Sequence, residues 1–262
     1  MRLAARAITP PSLESAPRIR VEIALVLSLS LGASAVYSVV AIINRLTQAT
    51  ALSEQTATLN SSLSARPTFD FIYQVLAVFF DLMPVALVIF LLWRTTRPHL
   101  GALGIDFTRP VRDGLSGLGL ALVIGIPGIL VYLAGRALDL NVTVVPAALD
   151  THWWTVPVLI LSAFRAGATE EIIVIGYLFA RLRDLGWGPW RIIIASALLR
   201  GTYHLYQGIG AFFGNVAMGI LFGWLYARYG RVLPLVIAHT IIDIAVFVGY
   251  AWAVATFPTV FG

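Results

Sequence analysis

WWTVPVLILSAFRAGATEEIIVIGYLFA, residues Trp153–Ala180, is the stretch whose reading decides the fold. It is apolar on every side, and it exceeds the roughly 20 residues with which a helix crosses a bilayer. The expectation is a transmembrane helix that carries Arg165, Glu170 and Glu171 inside it. An ionisable side chain at that depth is costly, so it usually faces a partner or a water-filled cavity.

The rest of the chain repeats the pattern. Of 262 residues, 59% are hydrophobic and 12% charged, with a mean hydropathy of +0.86. A soluble domain of this size cannot hide that much apolar surface. Further apolar runs lie at Val21–Ile43, Phe71–Trp93, Gly114–Ala134, Trp190–Tyr206, Ile209–Ala227 and Val232–Phe257, which makes about seven predicted spans. Asp81 and Pro84 fall inside the second, and Pro127 interrupts the third. Gly210, Gly214, Gly219 and Gly223 give the sixth the small-residue spacing of a closely packed helix. Ala33-Ser34-Ala35 looks like a cleavage site, but its apolar run continues to Ile43, so a retained span is expected. The fold class is therefore an all-α integral membrane protein.

Charge sets the expected orientation. The net charge is +5 and every basic residue is arginine. The arginines sit singly or in pairs at the ends of apolar runs, which excludes a nucleic-acid face and reads as topology. Arg2, Arg6, Arg18 and Arg20 precede the first span, Arg94, Arg97, Arg109 and Arg112 follow the second, Arg181, Arg183 and Arg191 follow the fourth, and Arg228 and Arg231 follow the sixth. The alternate loops hold only Arg45, Arg66 and Arg136. A multi-pass protein of the cell membrane with a cytoplasmic N-terminus is expected. Residues 44–70 read as a polar loop. Residues 1–150 comprise the N-terminal tail and three spans, and residues 151–262 a core of four spans that carries the chemistry. Cysteine is absent, which excludes a thiolate nucleophile and a zinc-thiolate site.

That chemistry is visible as charge where lipid is expected. Besides Glu170 and Glu171, Arg200 and His204 lie four apart on the fifth span, and His239 and Asp243 four apart on the seventh. Residues four apart share a helix face. Counted at about 1.5 Å per residue, the four groups Glu170, His204, His239 and Asp243 fall at depths of roughly 10–21 Å. Carboxylates and imidazoles in one cavity suit acid–base activation of water. The same donors can hold a divalent metal, through Glu170, His204 and His239, although no one-helix zinc signature is present. Intramembrane Glu, His and Asp also mark ion or proton routes, and His204 and His239 can be drawn as haem ligands. Arg165 by itself reads as structural.

At these residues the sequence resembles the CAAX-protease and bacteriocin-processing (CPBP, or Abi) family of intramembrane peptidases. Glu170-Glu171-Ile172-Ile173-Val174-Ile175-Gly176-Tyr177-Leu178 fills the place of the family's EExxxR motif followed by Gly-Tyr-Leu. Arg200-Gly201-Thr202-Tyr203-His204 fills the place of FxxxH, and His239-Thr240-Ile241-Ile242-Asp243 that of HxxxN or HxxxD. The likeness covers about residues 153–250. It implies an endopeptidase acting on a membrane-associated peptide or protein, with Glu170 as general base, His204 holding water or the carbonyl, and His239 polarising the carbonyl or moving a proton. Asp243 takes the place of an oxyanion-stabilising residue and Glu171 an orienting one. No cofactor is expected, with zinc as the alternative. Two positions depart from the family: Ile175 stands where it has arginine, and Arg200 where it has phenylalanine. The exchange is reciprocal, so Arg200 is expected to replace the missing cation and pair with Glu171. A non-catalytic scaffold or bacteriocin-immunity protein and a small transporter remain the rival readings.

Overall fold

The structure is a computed structural model that describes residues 15–258. Arg2 and Arg6, used for topology, lie outside the described residues. Helices dominate: α1 (Ala16–Ser28), α2 (Leu31–Leu46), α3 (Pro67–Asp81), α4 (Met83–Leu91), α5 (Pro110–Ala137), α6 (Thr155–Glu170), a π-helical segment (Glu171–Tyr177), α7 (Leu178–Asp184), α8 (Pro189–Tyr203), α9 (Ile209–Tyr229) and α10 (Leu233–Thr256). Proline supplies many of the starts. It occupies the first or second position of α1, α3, α4, α5, α8 and α10, where its missing N–H leaves no helical bond unmade.

Fewer stretches than the seven expected spans stand out by helix length and composition. Among the described residues, four helical stretches are long and apolar enough to cross a membrane, Pro67–Leu91, Pro110–Ala137, Ile209–Tyr229 and Leu233–Thr256, and a fifth arises if α1 and α2 form one span bent by 57°. The expected fourth span is one uninterrupted helical run from Thr155 to Asp184, but the π segment divides it into pieces that are each short. The fifth, α8, has 15 residues, or about 22 Å, less than the ~30 Å of hydrocarbon. Two breaks have local causes. Pro84 has no N–H to offer and crowds the carbonyl one turn back, so α3 ends at Asp81 and α4 restarts at Met83. At the bend between α1 and α2, the Ser30 hydroxyl donates to the Val26 carbonyl at 2.7 Å, competing with the backbone ladder.

The all-α expectation also misses a small sheet. β1 (Thr56–Thr58) pairs in parallel with β2 (Thr143–Val145), inside what reads as a polar loop. This pairing puts the α2–α3 and α5–α6 connections at one end of the molecule. At the other end, Arg231 before α10 reaches Asp106 before α5. These two pairs of connections thus meet at opposite ends of α5.

The main core joins both halves of the chain: Val26, Val88, Leu103, Ile173, Ile175, Ile193, Phe222 and Leu235 are all buried in one cluster. Every residue of the π segment is buried. Outside it the surface is apolar, with Tyr37, Phe90, Val111, Leu122, Val123 and Ile126 largely exposed. Such an exterior suits hydrocarbon rather than water. Two glycines set the contacts that matter for the site. A Cβ on Gly167 of α6 would strike Thr240 and the Val236 carbonyl of α10, and one on Gly219 of α9 would strike Ala197 of α8. Of the four α9 glycines, Gly219 and Gly223 face α8, whereas Gly210 approaches Asn141 and Gly214 approaches Val131.

Candidate active site

Three packed segments deliver the polar groups. The close approach of α6 and α10 at Gly167 sets the end of α6 against His239. At that end the helix widens, with the π segment starting at Glu171. Neighbouring residues of a helix normally point in different directions, and widened turns of this kind often occur at functional sites. Here both carboxylates turn inward: Glu171 is fully buried and the Glu170 side chain is 12% exposed.

Glu171 is the hub. Its Oε1 accepts from Arg200 Nη2 and from His239 Nδ1–H at 2.7 Å. A carboxylate oxygen bonded to Arg200 is an acceptor, so the proton of this contact belongs to Nδ1, and Nε2 faces Asp243 Oδ2 at 3.6 Å. Arg200 Nη2 also lies 3.7 Å from Glu170 Oε2. Arg200 is completely buried, its guanidinium 5.5 Å above the Phe222 ring. Arg200 Nε and Nη1 and Glu171 Oε2 are buried with no hydrogen-bond partner among the described residues. The pairing anticipated from the exchange of positions 175 and 200 is present.

Glu170 is engaged differently. Its Oε2 accepts from the Tyr203 hydroxyl at 2.8 Å. Glu170, Tyr203 and His204 line a cavity of about 410 Å³, with Arg165, Asp81 and Tyr206 farther round the wall. His204 Nδ1–H donates to the Arg200 carbonyl at 3.1 Å within its own helix end, which leaves Nε2 with a free lone pair. The structure therefore gathers Glu170, Glu171, Arg200, His239 and Asp243 into one contact network. His204 stands beside it, across shared space from Glu170. Tyr203 is the participant that the sequence reading missed. The signal was available, because Tyr203 lies three residues after Arg200 and hence on its face.

Donor atoms of Glu170, Glu171 and His239 lie within 4.8 Å of one another, a grouping of metal-ligand type. It contains Glu171 where the sequence reading put His204. The fit to a divalent ion is poor. A guanidinium, permanently charged, already sits against both carboxylates, and His239 presents an N–H rather than a lone pair to Glu171.

No curated protein and no solved structure matches the chain. Residues 152–245, which hold Glu170, Glu171, Arg200, Tyr203, His204, His239 and Asp243, match the family model described as Type II CAAX prenyl endopeptidase Rce1-like, in agreement with the CAAX-protease resemblance seen at these positions.

Proposed function

We propose that the protein is an intramembrane endopeptidase in which Glu170 activates water against a peptide carbonyl. The observation that carries this reading is the Glu170 carboxylate, held by Tyr203 at the wall of a cavity that it shares with His204. Water in that cavity donates a hydrogen bond to Glu170 and another to His204 Nε2. Glu170 takes the proton as the water oxygen bonds to the carbonyl carbon, and the carbonyl electrons move onto its oxygen. Collapse of this intermediate breaks the C–N bond, and the proton passes to the departing amine. His239, protonated on both ring nitrogens and fixed between Glu171 and Asp243, stabilises the oxyanion through its positive charge. Asp243 orients that ring instead of facing the oxyanion. Arg200 and Glu171 keep the two imidazole-bearing helices in register with Glu170. No metal takes part.

The helices are arranged as seven crossings of the cell membrane, with α1–α2, α3–α4, α6–α7 and α8 each counting as one and the N-terminus in the cytoplasm. Residues 151–262 form the catalytic core and residues 1–150 its membrane-embedded wall. The substrate is a membrane-associated peptide or protein.

The test is cleavage of apolar peptides by the purified protein in lipid vesicles, beside Glu170→Ala and His239→Ala, with and without a zinc chelator. The expected result is cleavage by the parent protein that each substitution lowers at least about a hundredfold and that the chelator leaves intact. Cleavage that survives both substitutions would overturn the catalytic assignment. Loss on chelation with recovery on added zinc would overturn the metal-free step. A folded parent protein that cleaves nothing would favour a scaffold.

A further inference from the structure

Arg165 plays no part in the chemistry just described, yet it lines the same cavity as Glu170. It sits on α6 five residues before Glu170, about 7.5 Å along the helix axis, and both side chains line the one cavity. Arg165 Nη1 bonds to Asp81 Oδ2 at 2.5 Å, but this pair is open: the side chains are 31% and 51% exposed. Asp81 closes α3 at the break before Pro84. Arg165 Nε is buried and has no hydrogen-bond partner among the described residues. A guanidinium offers a fork of parallel donors that matches a carboxylate, and only part of that fork is used by Asp81. A structural ion pair inside a membrane protein is normally closed and fully satisfied, because lipid supplies no hydrogen bonds. This one faces a cavity and is neither.

We propose that Arg165 is the carboxylate-binding residue of the substrate cavity, with Asp81 as the resident carboxylate that an incoming peptide carboxylate displaces. The exchange keeps Arg165 paired throughout, so the cation is never left bare. The ligand carboxylate is either the C-terminus of the peptide or the side chain of an acidic residue near it. This assignment rests on the peptidase reading for its role in turnover, but not for binding.

Binding is therefore measured without turnover, on full-length Glu170→Gln protein in detergent micelles. The probes are dansyl-labelled Ala/Leu hexapeptides with a free C-terminus, with a C-terminal amide, and with an amide plus a penultimate Glu. Fluorescence anisotropy is expected to show the free acid, the Glu-containing amide or both binding about tenfold tighter than the neutral amide, and which of them does identifies the source of the carboxylate. Adding Arg165→Gln is expected to bring all three within about twofold of one another, and Arg165→Lys to retain part of the preference. Asp81→Asn, which leaves Arg165 in place and frees it, is expected to tighten the acidic probes and not the neutral one. Equal binding of the three probes, a preference that survives Arg165→Gln, or no response to Asp81→Asn overturns the proposal. Cleavage by the unsubstituted protein is scored separately. Selective binding without cleavage removes the peptidase reading and leaves this site standing, whereas cleavage without selectivity does the reverse.

Discussion

Arg231 and Arg200 each bridge two carboxylates, and they do it in opposite ways. Arg231, in the connection before α10, donates four hydrogen bonds of 2.5–2.8 Å to Asp106 and Asp113. Its side chain is 14% exposed, and Asp106 also accepts from Thr108. Arg200, on α8, is completely buried, touches Glu171 and Glu170, and leaves two of its donor nitrogens unpaired among the described residues. The first arrangement spends the whole guanidinium on holding the connection before α10 to the first turn of α5 and the loop that precedes it. The second holds two carboxylates near each other in a place where hydrogen bonding is incomplete. A fully satisfied polar network rigidifies a fold, and an under-satisfied one marks a site that does something else. The comparison thus separates the clamp of the fold from the centre of its chemistry, although both have the same charges.

The largest effect is expected where the contrast is sharpest. Arg200→Phe leaves Glu171 as an uncompensated buried charge, at a cost of about 3–5 kcal/mol, and cleavage is lost with it. Ile175→Arg in the same chain restores the arrangement that the family motif describes. Recovery of thermal stability and of cleavage in the double variant is the expected outcome, and no recovery means that the two positions are not exchangeable. Tyr203→Phe comes next. It removes one hydrogen bond to a carboxylate, worth about 1.5–3 kcal/mol, so the melting temperature is expected to fall by a few degrees and kcat roughly ten- to a hundredfold, with little change in KM.

The clamp is expected to respond in the opposite sense. Arg231→Ala should lower stability by about 1 kcal/mol, read by thermal melting, with cleavage unchanged. Its partner sets a pH window. Hydrogen bonds from Arg231 hold the Asp106 carboxyl well below the usual carboxylate range. A depressed carboxyl contributes stability above its unfolded value, about pH 4, and loses it as the pH falls further toward the folded value. Melting curves of the parent protein should therefore fall more steeply below about pH 4 than those of Arg231→Ala. The smallest effect belongs to Asp243→Asn. If this residue works by orienting His239, the amide substitutes for it, and cleavage should stay within about threefold; a much larger loss would assign the charge itself a role.

How legible all of this is in the sequence depends on the range of the interactions. The helices follow from apolar runs, prolines and the glycine after α9, which are local signals. Glu170, Glu171, His204, His239 and Asp243 stand out because charge inside an apolar run is expensive, and the Arg200–Glu171 pair follows from the exchange with position 175. The bend at Ser30 and the π segment have no such mark. Residues 171–177 are apolar after Glu171, and the same run serves either helix type. The pairing of Thr56–Thr58 with Thr143–Val145 joins two loops far apart in sequence, and the Arg165–Asp81 pair joins two helices. Neither has a periodicity to betray it. Tyr203 was readable, since its face is that of Arg200, but a tyrosine in an apolar helix passes as packing until its hydroxyl is seen on Glu170.

The central claim is that Glu170 splits water in the cavity it shares with His204. The most direct test is the turnover number of Glu170→Gln, which keeps the shape and the Tyr203 contact but cannot take a proton. Turnover at least about a hundredfold below the parent protein, with the melting temperature preserved, is the predicted result; turnover close to that of the parent would contradict it.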